Sequence, residues 1–110
     1  MDFIEYGNCS KPTVIIIHCN NRERALSDSK LISLQNHYHL VFPIIEECDN
    51  EKSIITYIRE QCHNHIYALG GYSDGWRILE KIIQVPELTI DKIIIESVNC
   101  KPGTVLASAI

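Results

Sequence analysis

Thr13-Val14-Ile15-Ile16-Ile17-His18 is the stretch that most narrows the architecture. Its apolar residues are consecutive, with no polar residue at alternate positions. Such a strand has no face to give to water and belongs in a parallel sheet covered on both sides. Other runs suit the same sheet: Phe3–Tyr6 as a short first strand, Leu40–Ile45 as the third, Ile66–Leu69 as the fourth and Ile90–Val98 as the fifth. Pro43 has no N–H, so pairing is expected to weaken there. Between the strands the period changes to that of helices. Ala25–Asn36 is expected to turn Leu31, Ile32 and Leu34 inward. Ser53–His63 aligns Ile54, Ile58 and Cys62, with Asp49 or Asn50 to cap its start and Asn64 in the left-handed position at its end. Asp74–Gln84 gathers Ile78, Leu79, Ile82 and Ile83, and Pro86 stops it. Val105–Ile110 begins a further apolar element. Strand–helix alternation of this kind implies right-handed crossovers and a three-layer α/β/α sandwich with an open, mostly parallel sheet.

Size and charge exclude several classes of function. The 110 residues suffice for one domain, and the net charge of −4 gives no basic footprint for nucleic acid. No apolar run approaches the ~20 residues of a membrane span, and the acidic MDFIEYGN start is not a signal peptide. Cys9, Cys19, Cys48, Cys62 and Cys100 are odd in number, widely spaced and without a C-x-x-C pair. Reduced thiols in a cytoplasm are expected. Cys62, His63 and His65 lack the second ligand pair of a structural zinc site, so no metal is expected, and no cofactor is implied.

The chemistry centres on Gly71-Tyr72-Ser73-Asp74-Gly75, a G-x-S-x-G pattern between an apolar strand and a helical pattern. A sharp turn there lifts the Ser73 hydroxyl above the sheet, and the two glycines let strand and helix approach closely. Free N–H groups at the helix start suit a developing oxyanion. The Asp74 N–H is one expected donor. The second comes from the loop after the earlier strand, where Asn20 N–H is the choice. Ser73 also has a plainer reading, as a helix N-cap after a Gly70-Gly71 turn.

These residues resemble the amino-terminal half of an α/β-hydrolase. The resemblance rests on Tyr6-Gly7-Asn8, Lys11 to His18, Tyr38 to Ile44, Gly71 to Gly75, and Ile94 to Ser97. It is similar to short hydrolases that begin with a YG…KPTIIxxHG segment. It implies a serine hydrolase acting on an ester or related acyl bond of a small molecule, with Ser73 as nucleophile. The implied strand order is first, third, second, fourth, fifth, with a ligand crevice between Thr13–His18 and Ile66–Leu69. The chain departs from the pattern in three places. Cys19 replaces a loop glycine, which crowds the oxyanion hole. Trp76 replaces a small residue after the elbow. No histidine follows His65, so the base of the triad is absent from these residues. His18, at the end of the neighbouring strand, is a minor candidate. His37, His39, His63 and His65 lie at strand starts and are expected to be solvated or capping. Glu96 ends the last clear strand, as an acid or as an ordinary polar residue.

Ile93-Ile94-Ile95 expects neighbours on both sides. With the chain stopping at Ile110 it becomes an edge, which invites pairing with other chains. Residues 1–110 thus read as a single partial domain: a truncated gene, a fragment or a half-domain that needs a partner, and impaired or inactive as an enzyme. The alternative is a non-catalytic α/β module that binds a ligand or partner.

Overall fold

The computed structural model describes residues 2–18, 28–45, 51–72 and 75–96. The elements are β1 (Phe3–Tyr6), β2 (Thr13–His18), α1 (Asp28–Gln35), β3 (His39–Pro43), α2 (Glu51–Gln61), β4 (His65–Tyr72), α3 (Trp76–Ile83) and β5 (Thr89–Glu96). One sheet has the order β1-β3-β2-β4-β5, as the resemblance implied. β1 runs antiparallel to β3, and β2–β3, β2–β4 and β4–β5 are parallel. The sheet is open and mostly parallel, as expected.

β2 is the spine. Val14, Ile15, Ile16 and Ile17 are all fully buried, and they divide between two cores. Val14 and Ile16 join Leu40, Ala68 and Ile94 on one face, with Leu34 of α1 packed on them. Ile15 and Ile17 join Val41, Leu69, Ile54, Ile55, Ile58, Leu79 and Ile82 on the other, beneath α2 and α3. An unbroken β-branched strand is therefore explained by alternation between two dry faces.

Several boundaries and burial expectations change. β4 is longer than Ile66–Leu69: it runs through Gly70-Gly71 to Tyr72, so those glycines are strand, not turn. β3 starts at His39 and ends at Pro43, which stands opposite Phe3, and the Ile44 N–H still donates to the Asp2 carbonyl at 2.8 Å, so pairing with β1 does not weaken at the proline as expected. α2 is Glu51–Gln61, and His63 and Asn64 both take positive φ (53° and 66°) in the turn that follows. α3 begins at Trp76 and ends before Gln84, two residues ahead of Pro86. Ile32 is 59% exposed on α1, and Ile83 is exposed on α3; neither faces inward as expected. Ala25, Asp49, Asn50, Val98 and Val105–Ile110 lie outside the described residues.

Candidate active site

β2 and β4 end side by side, with Ile17 opposite Gly71 and His18 opposite Tyr72. This is the top of the expected crevice. Ser73 and Asp74 fall between Tyr72 and Gly75 and lie outside the described residues, as do Cys19 and Asn20. What the structure does describe is the frame on either side of the serine.

Both glycines of the pattern sit where a side chain has no room. A Cβ added at Gly71 would stand 2.8 Å from Trp76 Cα and 3.1 Å from Leu79 Cδ1. A Cβ at Gly75 would run into the Ile17 carbonyl, with the carbonyl carbon 2.8 Å away. Gly75 has φ −62°, which any residue adopts. The requirement is therefore one of space. The first turn of α3 is pressed against the backbone of β2 on one side and β4 on the other. Trp76 does not disturb this packing: it opens α3, partly buried, with the Arg77 guanidinium 5.9 Å from its ring centre.

The histidines separate by end of the sheet. His18 is in register with Tyr72, next to the elbow. His39 opens β3 and pairs with Thr13, and His65 opens β4. Thr13 is five residues before His18, and His65 seven before Tyr72. At ~3.3 Å per residue these gaps are about 17 and 23 Å. Transfer of a serine proton needs contact at about 3 Å. His39 and His65, with His37 and His63 beside them in chain, thus stand at the end of the sheet away from Tyr72.

His39 is not solvated as expected; it is 5% exposed. Its Nε2 is 2.8 Å from Glu5 Oε1 and its Nδ1 is 3.1 Å from Thr13 Oγ1. An ionised carboxylate only accepts, so Nε2 carries the hydrogen toward it. The Tyr57 hydroxyl donates to the same Glu5 oxygen at 2.8 Å, and its ring stacks on Phe3. Burial, then the Glu5 bond and charge, raise the Tyr57 phenol far above its ordinary value. Burial likewise raises the Cys62 thiol, against a partial offset from its hydrogen bond with Thr13. This network ties β1, β2, β3 and α2 together, and sequence reasoning missed it. His63 is exposed, and His65 pairs with Asp91 at 2.9 Å in solvent, as expected for residues at a strand start.

The fold has a counterpart among solved structures. The chain is similar to a crystal structure of an α/β hydrolase family protein from Desulfitobacterium hafniense, with a TM-score of 0.66 and 16% identity. The match covers 86% of this chain and 43% of that one, so the chain spans less than half the length of its structural relative. No protein-family model matches the sequence, and no curated protein matches it. Among the described residues no helix is long and apolar enough to cross a membrane.

Proposed function

We propose that this chain carries the nucleophile half of a serine hydrolase site, with Ser73 attacking an ester or related acyl bond of a small molecule. The observation that carries the reading is the pair of glycines flanking Ser73. Gly71 and Gly75 are both held against backbone so closely that a Cβ would collide. A serine that merely capped a helix would not need glycine two residues before and two after it. On this reading the N–H groups of Asp74 and Asn20 receive the oxyanion. The free thiols of Cys9 and Cys62 suit a cytoplasmic setting.

One observation favours a second reading, a non-catalytic binding module. Four of the five histidines stand at or near the amino ends of their strands, away from the elbow. A fluorophosphonate probe decides between the readings. Covalent labelling of the wild type that disappears in Ser73→Ala supports the nucleophile. A folded chain that stays unlabelled from pH 6 to about 9 leaves the binding module, since an unactivated serine does not react. Loss of labelling in His18→Asn, with the fold retained, would identify the base within these residues.

A further inference from the structure

We propose that His39 controls the reactivity of the Cys62 thiol through the Thr13 hydroxyl, which can give its one hydrogen to the imidazole or to the sulfur. Thr13 stands between the two. It is the register partner of His39, with Oγ1 3.1 Å from Nδ1, and it also shares a hydrogen bond with Cys62. Cys62 follows α2, its N–H held by the Ile58 carbonyl at 3.1 Å, and its side chain packs partly buried on the core. Two titratable groups that no sequence motif links thereby share one hydroxyl.

The direction of each bond follows from counting hydrogens. The Glu5 carboxylate takes a hydrogen from Nε2 at 2.8 Å, so the neutral imidazole leaves Nδ1 as an acceptor and the Thr13 hydrogen goes to it. A hydroxyl has one hydrogen and two lone pairs. Oγ1 then faces Cys62 only as an acceptor, and the sulfur keeps its proton to donate. Protonation of His39 reverses the row: Nδ1–H donates to Oγ1, and the Thr13 hydrogen turns to the sulfur, where it stabilises a thiolate. The other groups at the cluster act in one direction. Burial and the Glu5 charge hold the Cys62 thiol protonated, Tyr57 of α2 donates to Glu5, and Cys9 of the turn before β2 acts on Tyr57 by charge. A Thr13 hydrogen on the sulfur is the opposing influence, and His39 decides whether it is available. The thiolate is the reactive form of cysteine, so the enclosed imidazole, 5% exposed, guards a thiol.

Alkylation of the whole chain by iodoacetamide near neutral pH, with each cysteine resolved by peptide mass spectrometry, tests the coupling. Each event forms an S–C bond, expels iodide and releases the thiol proton to solvent. Exposed Cys9 is the reference in the same sample. His39→Leu frees the Thr13 hydrogen for the sulfur, so Cys62 should react about threefold faster relative to Cys9. In a Thr13→Val background the same change should bring no acceleration, and in a Thr13→Ser background, which keeps the hydroxyl, it should. Equal acceleration with and without the hydroxyl would mean that losing His39 merely loosens the fold, and it overturns the proposal. An unchanged rate in His39→Leu overturns it as well. Nitrogen NMR of the wild type reads the arrangement without altering His39: in the neutral ring Nε2 should carry the hydrogen and Nδ1 none. The Nδ1–H tautomer overturns the proposal even where His39→Leu does not fold.

Discussion

The two ends of the sheet are built by opposite means. At the carboxyl ends of β2 and β4, closeness of backbone does the work: Gly71 and Gly75 let α3 settle against both strands. At the amino ends, side chains do it. His39, Glu5, Thr13 and Tyr57 link three strands and a helix through polar contacts. The first arrangement brings the start of a helix against the ends of two strands, the position from which the proposed nucleophile would act. The second uses up the hydrogen-bonding capacity of its one buried histidine. A buried histidine beside a carboxylate is thus a clasp here, and the candidate chemistry stands at the end where side chains have been removed.

The largest expected effect comes from filling the space at the upper end. Gly75→Val places a branched side chain against the Ile17 carbonyl, which is backbone in the central strand and cannot move aside. The cost should be about 3 kcal/mol or more, read as a lowered denaturation midpoint. Gly71→Ala should cost about 1–3 kcal/mol, since Leu79 Cδ1 can yield although Trp76 Cα cannot. On helix propensity alone, alanine in place of glycine stabilises by up to ~1 kcal/mol. A stabilised Gly75→Ala would show that α3 does not press on β2.

At the lower end, His39→Ala removes the centre of the clasp and leaves Glu5 and Thr13 without that partner. A loss of about 2–3 kcal/mol is expected. If the two ends are independent, probe labelling at Ser73 should be unchanged in this variant at temperatures where it stays folded. A parallel loss of labelling would join the two ends and sink the division drawn between them.

Tyr57→Phe keeps the ring on Phe3 and removes only the bond to Glu5, for a loss of about 1 kcal/mol near neutral pH. The same variant reads a pH dependence. The Cys62 thiol and the Tyr57 phenol are both raised, so the folded chain holds these protons more tightly than the unfolded chain. Their contribution is complete below the ordinary thiol value of 9.0, and declines as pH rises through it. The phenol extends the decline above its ordinary value of 10.0. Urea midpoints should therefore fall from pH 9 upward. The fall above pH 10 should be shallower in Tyr57→Phe, and an identical slope would assign it to other groups.

The upper end was the more legible in sequence, and the reason is local. G-x-S-x-G between an apolar strand and a helical stripe spans five residues, and its steric logic depends on chain neighbours plus one strand. Even so, Gly70-Gly71 read as a turn, because glycine pairs usually are. Here β4 continues through them, and Gly71 is small in order to admit Trp76. The strand order followed from resemblance, while the burial of β2 on both faces followed from Thr13–His18 itself. The lower end was not legible. Glu5 and His39 are 34 residues apart in sequence and meet only because β1 folds back antiparallel beside β3. Nothing in the chemistry of a glutamate in a four-residue strand signals that partner. Ile32 and Ile83 misled in the other direction: helical spacing marks a stripe, but it does not say which members of the stripe the rest of the chain covers, and both are exposed.

The smallest effect expected also belongs to the lower end, and it separates burial from mere proximity. His65 and Asp91 open β4 and β5 and stand 2.9 Å apart, close to the His39–Glu5 distance of 2.8 Å. The difference is solvent: His65 and Asp91 are each about half exposed, whereas His39 is enclosed. Water screens an exposed pair and solvates whichever partner is left behind, so such pairs contribute little. Asp91→Asn should change stability by no more than about 0.5 kcal/mol, against the several-fold larger loss expected for His39→Ala. Equal losses in Asp91→Asn and His39→Ala would mean that distance alone decides what these polar pairs contribute. Unequal losses at matched distance would place the stability of the lower end in the burial of the His39 imidazole, since Glu5 is about as exposed as Asp91.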